Sequence, residues 1–79
     1  MNTEKSKDEL REIIRQNLIS LRKNKGLSQL DIALLVDKKS TTVASWEQGI
    51  SLPDVTTLYN LSHFYNCTME YFYQEHDNE

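Results

Sequence analysis

The segment Asp37–Gly49, DKKSTTVASWEQG, concentrates the side chains best suited to chemistry without covalent bonds. Lys38 and Lys39 set two cations side by side, an arrangement suited to an anion such as a phosphate. Ser40, Thr41, Thr42 and Ser45 follow with short hydroxyls, each able to donate and to accept a hydrogen bond. Val43 and Trp46, three residues apart, supply one apolar side, and Gly49 supplies a stop. The segment therefore reads as a short helix with one buried face, leaving the polar face as the working one. Covalent chemistry has no comparable candidate. Ser, His and Asp occur without any nucleophile motif, so no catalytic residue is assigned and the chain does not read as an enzyme. His63 and Cys67 stand four apart, but Asn66 and Thr68 place Cys67 beyond a helix end, and no third or fourth ligand is near. Cys67 reads as a small core hydrophobe, and neither a metal nor a cofactor is expected.

Five helices are predicted to position this segment. Ser6 and Glu9 form a capping-box pattern, after which Leu10, Ile13, Ile14, Leu18 and Leu21 keep helical spacing up to a stop at Gly26. Ser28 and Asp31 repeat the box and open a second helix from Gln29 to about Val36. The Asp37–Lys38–Lys39 turn separates it from a third helix at roughly Thr41 to Gln48. Asp54, after Pro53, caps a fourth helix carrying Val55, Leu58, Leu61 and Phe64, and Asn66 can take the left-handed conformation that ends it. Thr68 caps a last short helix through Met69 and Phe72. The domain is expected at residues 8–73, between a flexible lead (1–7) and a polar tail (74–79).

With 79 residues, only one small core can form, at a size where partners often help. Two glycines and one proline leave little material for hairpins, which favours an all-α bundle. A lone cysteine excludes an internal disulfide, and no stretch has the order of a signal peptide or the roughly 20 apolar residues of a membrane span. The expected location is the cytoplasm. The net charge of −3 conceals a strong asymmetry. All nine Lys and Arg lie at or before Lys39, where six acids leave a surplus of +3, and the remainder carries six acids and no Lys or Arg. One end of the chain can meet an anion and the other cannot.

Two short helices separated by about four residues, the second with a polar outward face, fit the helix-turn-helix plan, in which the second helix enters the DNA major groove. The wording goes further. The stretch LRKNKGLSQLDIALLVDKKSTTVASWEQGISLP resembles the lambda-repressor-like, XRE-type helix-turn-helix family over Ile14 to Phe72. Its most specific parts are LSQ at the start of the second helix, SWEQG at the end of the third, and the following LPDVTTLYNLSHFYNCTMEYF. The resemblance implies that Gln29 contacts a DNA phosphate, that Ser40, Thr41, Ala44 and Ser45 face base edges, and that Thr42 and Gln48 lie nearer the backbone. It places Trp46 inward. It also implies a structural ion pair between Arg22 and Glu47, tying the first helix to the third. Lys38 and Lys39, at the entrance to a recognition helix, become phosphate contacts.

Three departures from the family pattern matter. The usual turn glycine is Asp37, which tolerates a left-handed backbone less cheaply than Gly but better than most residues. The usual apolar neighbour is Lys38. The third helix and the ISLP loop contain no Lys or Arg, so reading of guanine by arginine from this helix is impossible and hydroxyl and methyl contacts are favoured.

Two further groups stand out. Leu30, Leu34 and Leu35 occupy places where relatives mostly carry polar residues. The core stripe of the second helix is Ile32, Ala33 and Val36, so Leu30 and Leu34 are expected to pack against Leu10 and Ile13 of the first helix, with a protein-partner surface as the alternative. The tyrosines Tyr59, Tyr65, Tyr71 and Tyr73 exceed what such a core needs, and Tyr65, Tyr71, Phe72 and Tyr73 are expected at a homodimer contact. These features predict a sequence-specific transcriptional regulator, a small bacterial or phage repressor binding double-stranded DNA at a palindromic operator as a dimer. The rival reading keeps the fold but gives it a weakened DNA face and a protein-binding role.

Overall fold

The structure, a computed structural model, describes residues 4–76; the outermost parts of both expected termini, 1–3 and 77–79, lie outside the described residues. Four α-helices follow one another: α1 (Lys7–Asn24), α2 (Gln29–Val36), α3 (Ser40–Glu47) and α4 (Val55–Tyr65). In place of the expected fifth helix stands a four-residue 3-10 turn, Glu70–Tyr73. Its bonds run from each amide to the carbonyl three residues back, Tyr71 to Thr68, Phe72 to Met69 and Gln74 to Tyr71. The carbonyls of Tyr71, Phe72 and Gln74 also accept from the Asn17 amide of α1, at 3.2, 3.0 and 2.8 Å. That long-range anchor holds the turn against α1.

Local signals set the helix ends. Both capping boxes form, Ser6 with Glu9 and Ser28 with Asp31, each side chain bonding the other residue's backbone amide. In α4 the Asp54 carboxylate accepts from the Thr57 amide at 2.8 Å. Asp37 and Asn66 both take the left-handed conformation, near φ +55°, and end α2 and α4 as anticipated. The third helix begins at Ser40, one residue earlier than its pattern suggested, with Lys39 at the N-cap position.

The core joins Ile14 and Leu18 of α1, Ile32 and Ala33 of α2, Val43 and Trp46 of α3, Leu58 and Leu61 of α4, and Phe72. Helix α2 packs on α3 and α4, while α1 packs on α3 and on the 3-10 turn. Three expectations change here. Phe72 is fully buried beneath α1, so its ring cannot meet a second copy. Val55 and Phe64 leave the α4 stripe. Three-residue steps on a helix each fall about 60° short of a full turn, so these two lie on opposite borders of the stripe that Leu58 and Leu61 bury. Leu30, Leu34 and Leu35 do not pack on α1; Leu34 is 73% exposed. Leu10 and Ile13 turn instead toward α1's own side of the core, Ile13 buried and Leu10 half-buried.

Candidate nucleic-acid interface

The turn between α2 and α3 is set by Asp37, whose left-handed backbone lets the Lys38 amide reach the Ala33 carbonyl at 2.9 Å. Lys39 then enters α3 in an extended conformation, and its carbonyl accepts from Thr42 and Val43 at 3.0 and 3.2 Å. No side chain caps the first turn of α3, so the positive end of its dipole is left for an external anion. Lys39 is exposed at that end, with no carboxylate partner among the described residues. Lys38 is differently placed: its ammonium lies 3.8 Å from Asp54, a loose, exposed pair that offsets part of its charge. Thr57, through its hydroxyl and its amide, holds the Asp54 carboxyl below the usual range, so the acid beside Lys38 is firmly anionic.

On α3, Val43, Trp46 and Glu47 are buried. Ser40, Thr41 and Gln48 are exposed, and Thr42, Ala44 and Ser45 are half-buried. Helical spacing brings Thr41, Ser45 and Gln48 onto one outward face, with Ser40 and Ala44 along its edge. Thr42 sits to the side. Ser45 is not free on this face. Its hydroxyl lies 2.8 Å from that of Ser51, and its carbonyl accepts from the amides of Ile50 and Ser51 at 3.0 and 3.4 Å. Ser45, expected to face base edges, thus also holds the following loop, while Thr41, with Ser40 and Ala44, is the more open part of the face.

Beneath this face, Glu47 gathers three helices. Arg22 of α1 donates through Nε to Glu47 Oε2 at 2.8 Å and through Nη2 to Oε1 at 2.9 Å; its Nη1 reaches the Leu27 carbonyl at 2.8 Å. Gln29 of α2 adds a bond to Oε1 at 3.0 Å. Arg15 reaches the Glu47 carbonyl at 3.4 Å. The hydrogen bonds to Glu47 raise the Arg22 pKa although burial opposes it. Gln29, anticipated at a phosphate, is half-buried and directs its amide nitrogen inward. Its side chain joins the start of α2 to the end of α3.

The family model described as helix-turn-helix matches residues 18–72, more than half of the chain. The chain belongs to the lambda-repressor-like, XRE-type helix-turn-helix family. Its members are DNA-binding regulatory domains rather than typical enzymes. In this helix-turn-helix domain α2 and α3 are the paired helices. No curated protein and no solved structure matches the chain. No helix among the described residues is long and apolar enough to cross a membrane.

Two participants had escaped the reading of the sequence. Asn17 had left a signal, an amide at core spacing among Ile13, Ile14, Leu18 and Leu21, where a polar group must find buried partners. Ser51 had left none, because nothing in its spacing from Ser45 marks a hydroxyl pair across a helix end. Of the expected dimer residues, Tyr65 and Tyr73 are half-buried against the domain's own core, and Tyr71 stacks on His76 with ring centroids 3.7 Å apart.

Proposed function

We propose that this chain is a sequence-specific transcriptional regulator, a small bacterial or phage repressor, cytoplasmic, that binds a two-fold-related operator in double-stranded DNA as a homodimer. The observation that carries the reading is the open end of α3. Lys39 and an uncapped helix start offer a phosphate site, next to Ser40, Thr41 and Ala44, whose hydroxyl and methyl groups suit base edges. Thr42 and Gln48 flank the face near the backbone. Lys38 contributes a phosphate contact after leaving Asp54, and Gln29 does so through groups other than the nitrogen given to Glu47. Dimerisation uses the half-exposed rims of Tyr65, Tyr71 and Tyr73, which suit an interface because Tyr joins apolar area to a polar tip.

Selection on random DNA at low salt tests the reading. Enrichment of one palindrome, with half-sites about 34 Å apart, supports it. Sedimentation alone and on that DNA should show two copies. Retention of a monomeric state at high concentration and on DNA would remove the dimer.

A second reading, a protein-interaction module on the same fold, is favoured by one observation. Leu30, Leu34 and Leu35 are exposed side by side on α2, an apolar surface with no use in the domain's own packing. If random DNA yields no enriched sequence, that module becomes the better account.

A further inference from the structure

The loop after α3 carries a feature that the recognition helix lacks. Ile50 is large, apolar and 65% exposed, although it lies one residue past the left-handed Gly49 that closes α3. It does not dangle. The Ile50 amide bonds the Ser45 carbonyl at 3.0 Å, the Ser51 amide bonds the same oxygen at 3.4 Å, and the Ser51 hydroxyl meets that of Ser45 at 2.8 Å. Ser45 shares its helix face with Thr41, four residues earlier, and Gln48, three residues later. The two amide bonds cap the end of α3, and the hydroxyl pair ties the loop to the side chain of Ser45 at the border of the outward face, where Ile50 adds an exposed aliphatic group.

Exposing an isoleucine to water is unfavourable, and the loss is recovered when another apolar group covers it. In the major groove the principal apolar group is the C5 methyl of thymine. The charged alternative is weak here: α3 and the loop carry no Lys or Arg, and Arg15 of α1, which packs against Gly49, is engaged by the Glu12 carboxylate and the Glu47 carbonyl. We propose that Ile50 is a specificity-determining residue that packs on the methyl group of a thymine at the edge of the half-site read by α3, and that Ser51, through Ser45, is the positioning residue that aims it. This rests on the DNA-binding reading above.

Uracil lacks only that methyl group, which makes it the direct probe. On the operator enriched by the wild-type chain, each thymine is replaced by uracil in turn, and binding is measured for wild type, Ile50→Ala and Ser51→Ala. One thymine per half-site should lose about fourfold in affinity on replacement in the wild type, the effect of one buried methyl. At that position Ile50→Ala should bind thymine and uracil DNA equally while melting like the wild type, and Ser51→Ala should show a reduced preference, with a melting temperature lowered by no more than the few degrees that one lost hydrogen bond costs. An unchanged thymine preference in Ile50→Ala at every position overturns the proposal while leaving the DNA-binding reading intact. Equal weakening of Ile50→Ala on all DNAs also overturns it, assigning Ile50 to the sugar-phosphate backbone. An unchanged preference in Ser51→Ala removes the positioning role. Failure of the wild type to enrich any sequence overturns both the proposal and the reading beneath it.

Discussion

Glu47 and Arg22 face each other as a two-pronged pair, Nε to Oε2 at 2.8 Å and Nη2 to Oε1 at 2.9 Å, with Glu47 6% and Arg22 13% exposed. Such a pair adds little net stability over an apolar substitute, because both charges have left water, but removal of one partner strands the other. Its geometric effect is larger: it fixes the end of α3 against α1.

Glu47→Ala should therefore cost stability as well as binding. A loss of about 3 kcal/mol is expected in urea denaturation, with Arg22 left without its carboxylate. Unchanged melting would show that the pair does not hold α3 in place.

Asn17→Ala should release the C-terminal turn. Its amide serves three backbone carbonyls, and the turn would lose its anchor for about 1 to 3 kcal/mol. Amide hydrogen exchange should quicken at residues 71–74 before the rest of the domain opens. Asn17→Asp should be worse, since a carboxylate would face three carbonyl oxygens.

Alkaline pH should weaken the domain through Tyr65. Burial, with Glu47 adding to it and Arg22 opposing it, pushes its hydroxyl from an ordinary 10.0 up to about 12. Below the lower value the phenol is neutral in both folded and unfolded chains and its stabilising contribution is complete. Between the two values the unfolded chain alone gives up the proton, so stability falls as pH rises. Tyr65→Phe should melt with a constant offset from wild type up to about pH 9 and then gain on it above pH 10. A constant offset throughout that range would contradict the shift.

The two lysines at the turn should differ from each other. Lys39→Ala should weaken binding to operator and scrambled DNA alike and flatten the salt dependence by about one unit of log-log slope per subunit. Asp54→Asn, which keeps an N-cap for α4, should strengthen binding on both DNAs by freeing Lys38, roughly threefold per subunit. Thr41→Ala should instead alter the preferred base at one position per half-site; equal losses on both DNAs would mean that Thr41 reads no base.

What the sequence determined by itself was local. The capping boxes, the Asp54 cap and the left-handed Asp37 and Asn66 all act within a few residues, so type and spacing sufficed to find them. The wording around LSQ and SWEQG supplied the family and, with it, the Arg22–Glu47 pair, which no spacing rule would join across 25 residues. Tertiary structure decided the rest, because each remaining relation depends on where distant segments meet. Asn17 lies 54 to 57 residues from the carbonyls it holds, and its bonds anchor to α1 the 3-10 turn that stands in place of the expected fifth helix. Phe72 goes inward because that turn lies on α1, while Leu30 and Leu34 stay outward because α1 packs elsewhere. Ser45 meets Ser51 because Gly49 folds the loop back over the helix end, and Ile50 is left on the rim by the same fold. Pattern reports which face a residue occupies on its own helix; only packing decides what that face meets.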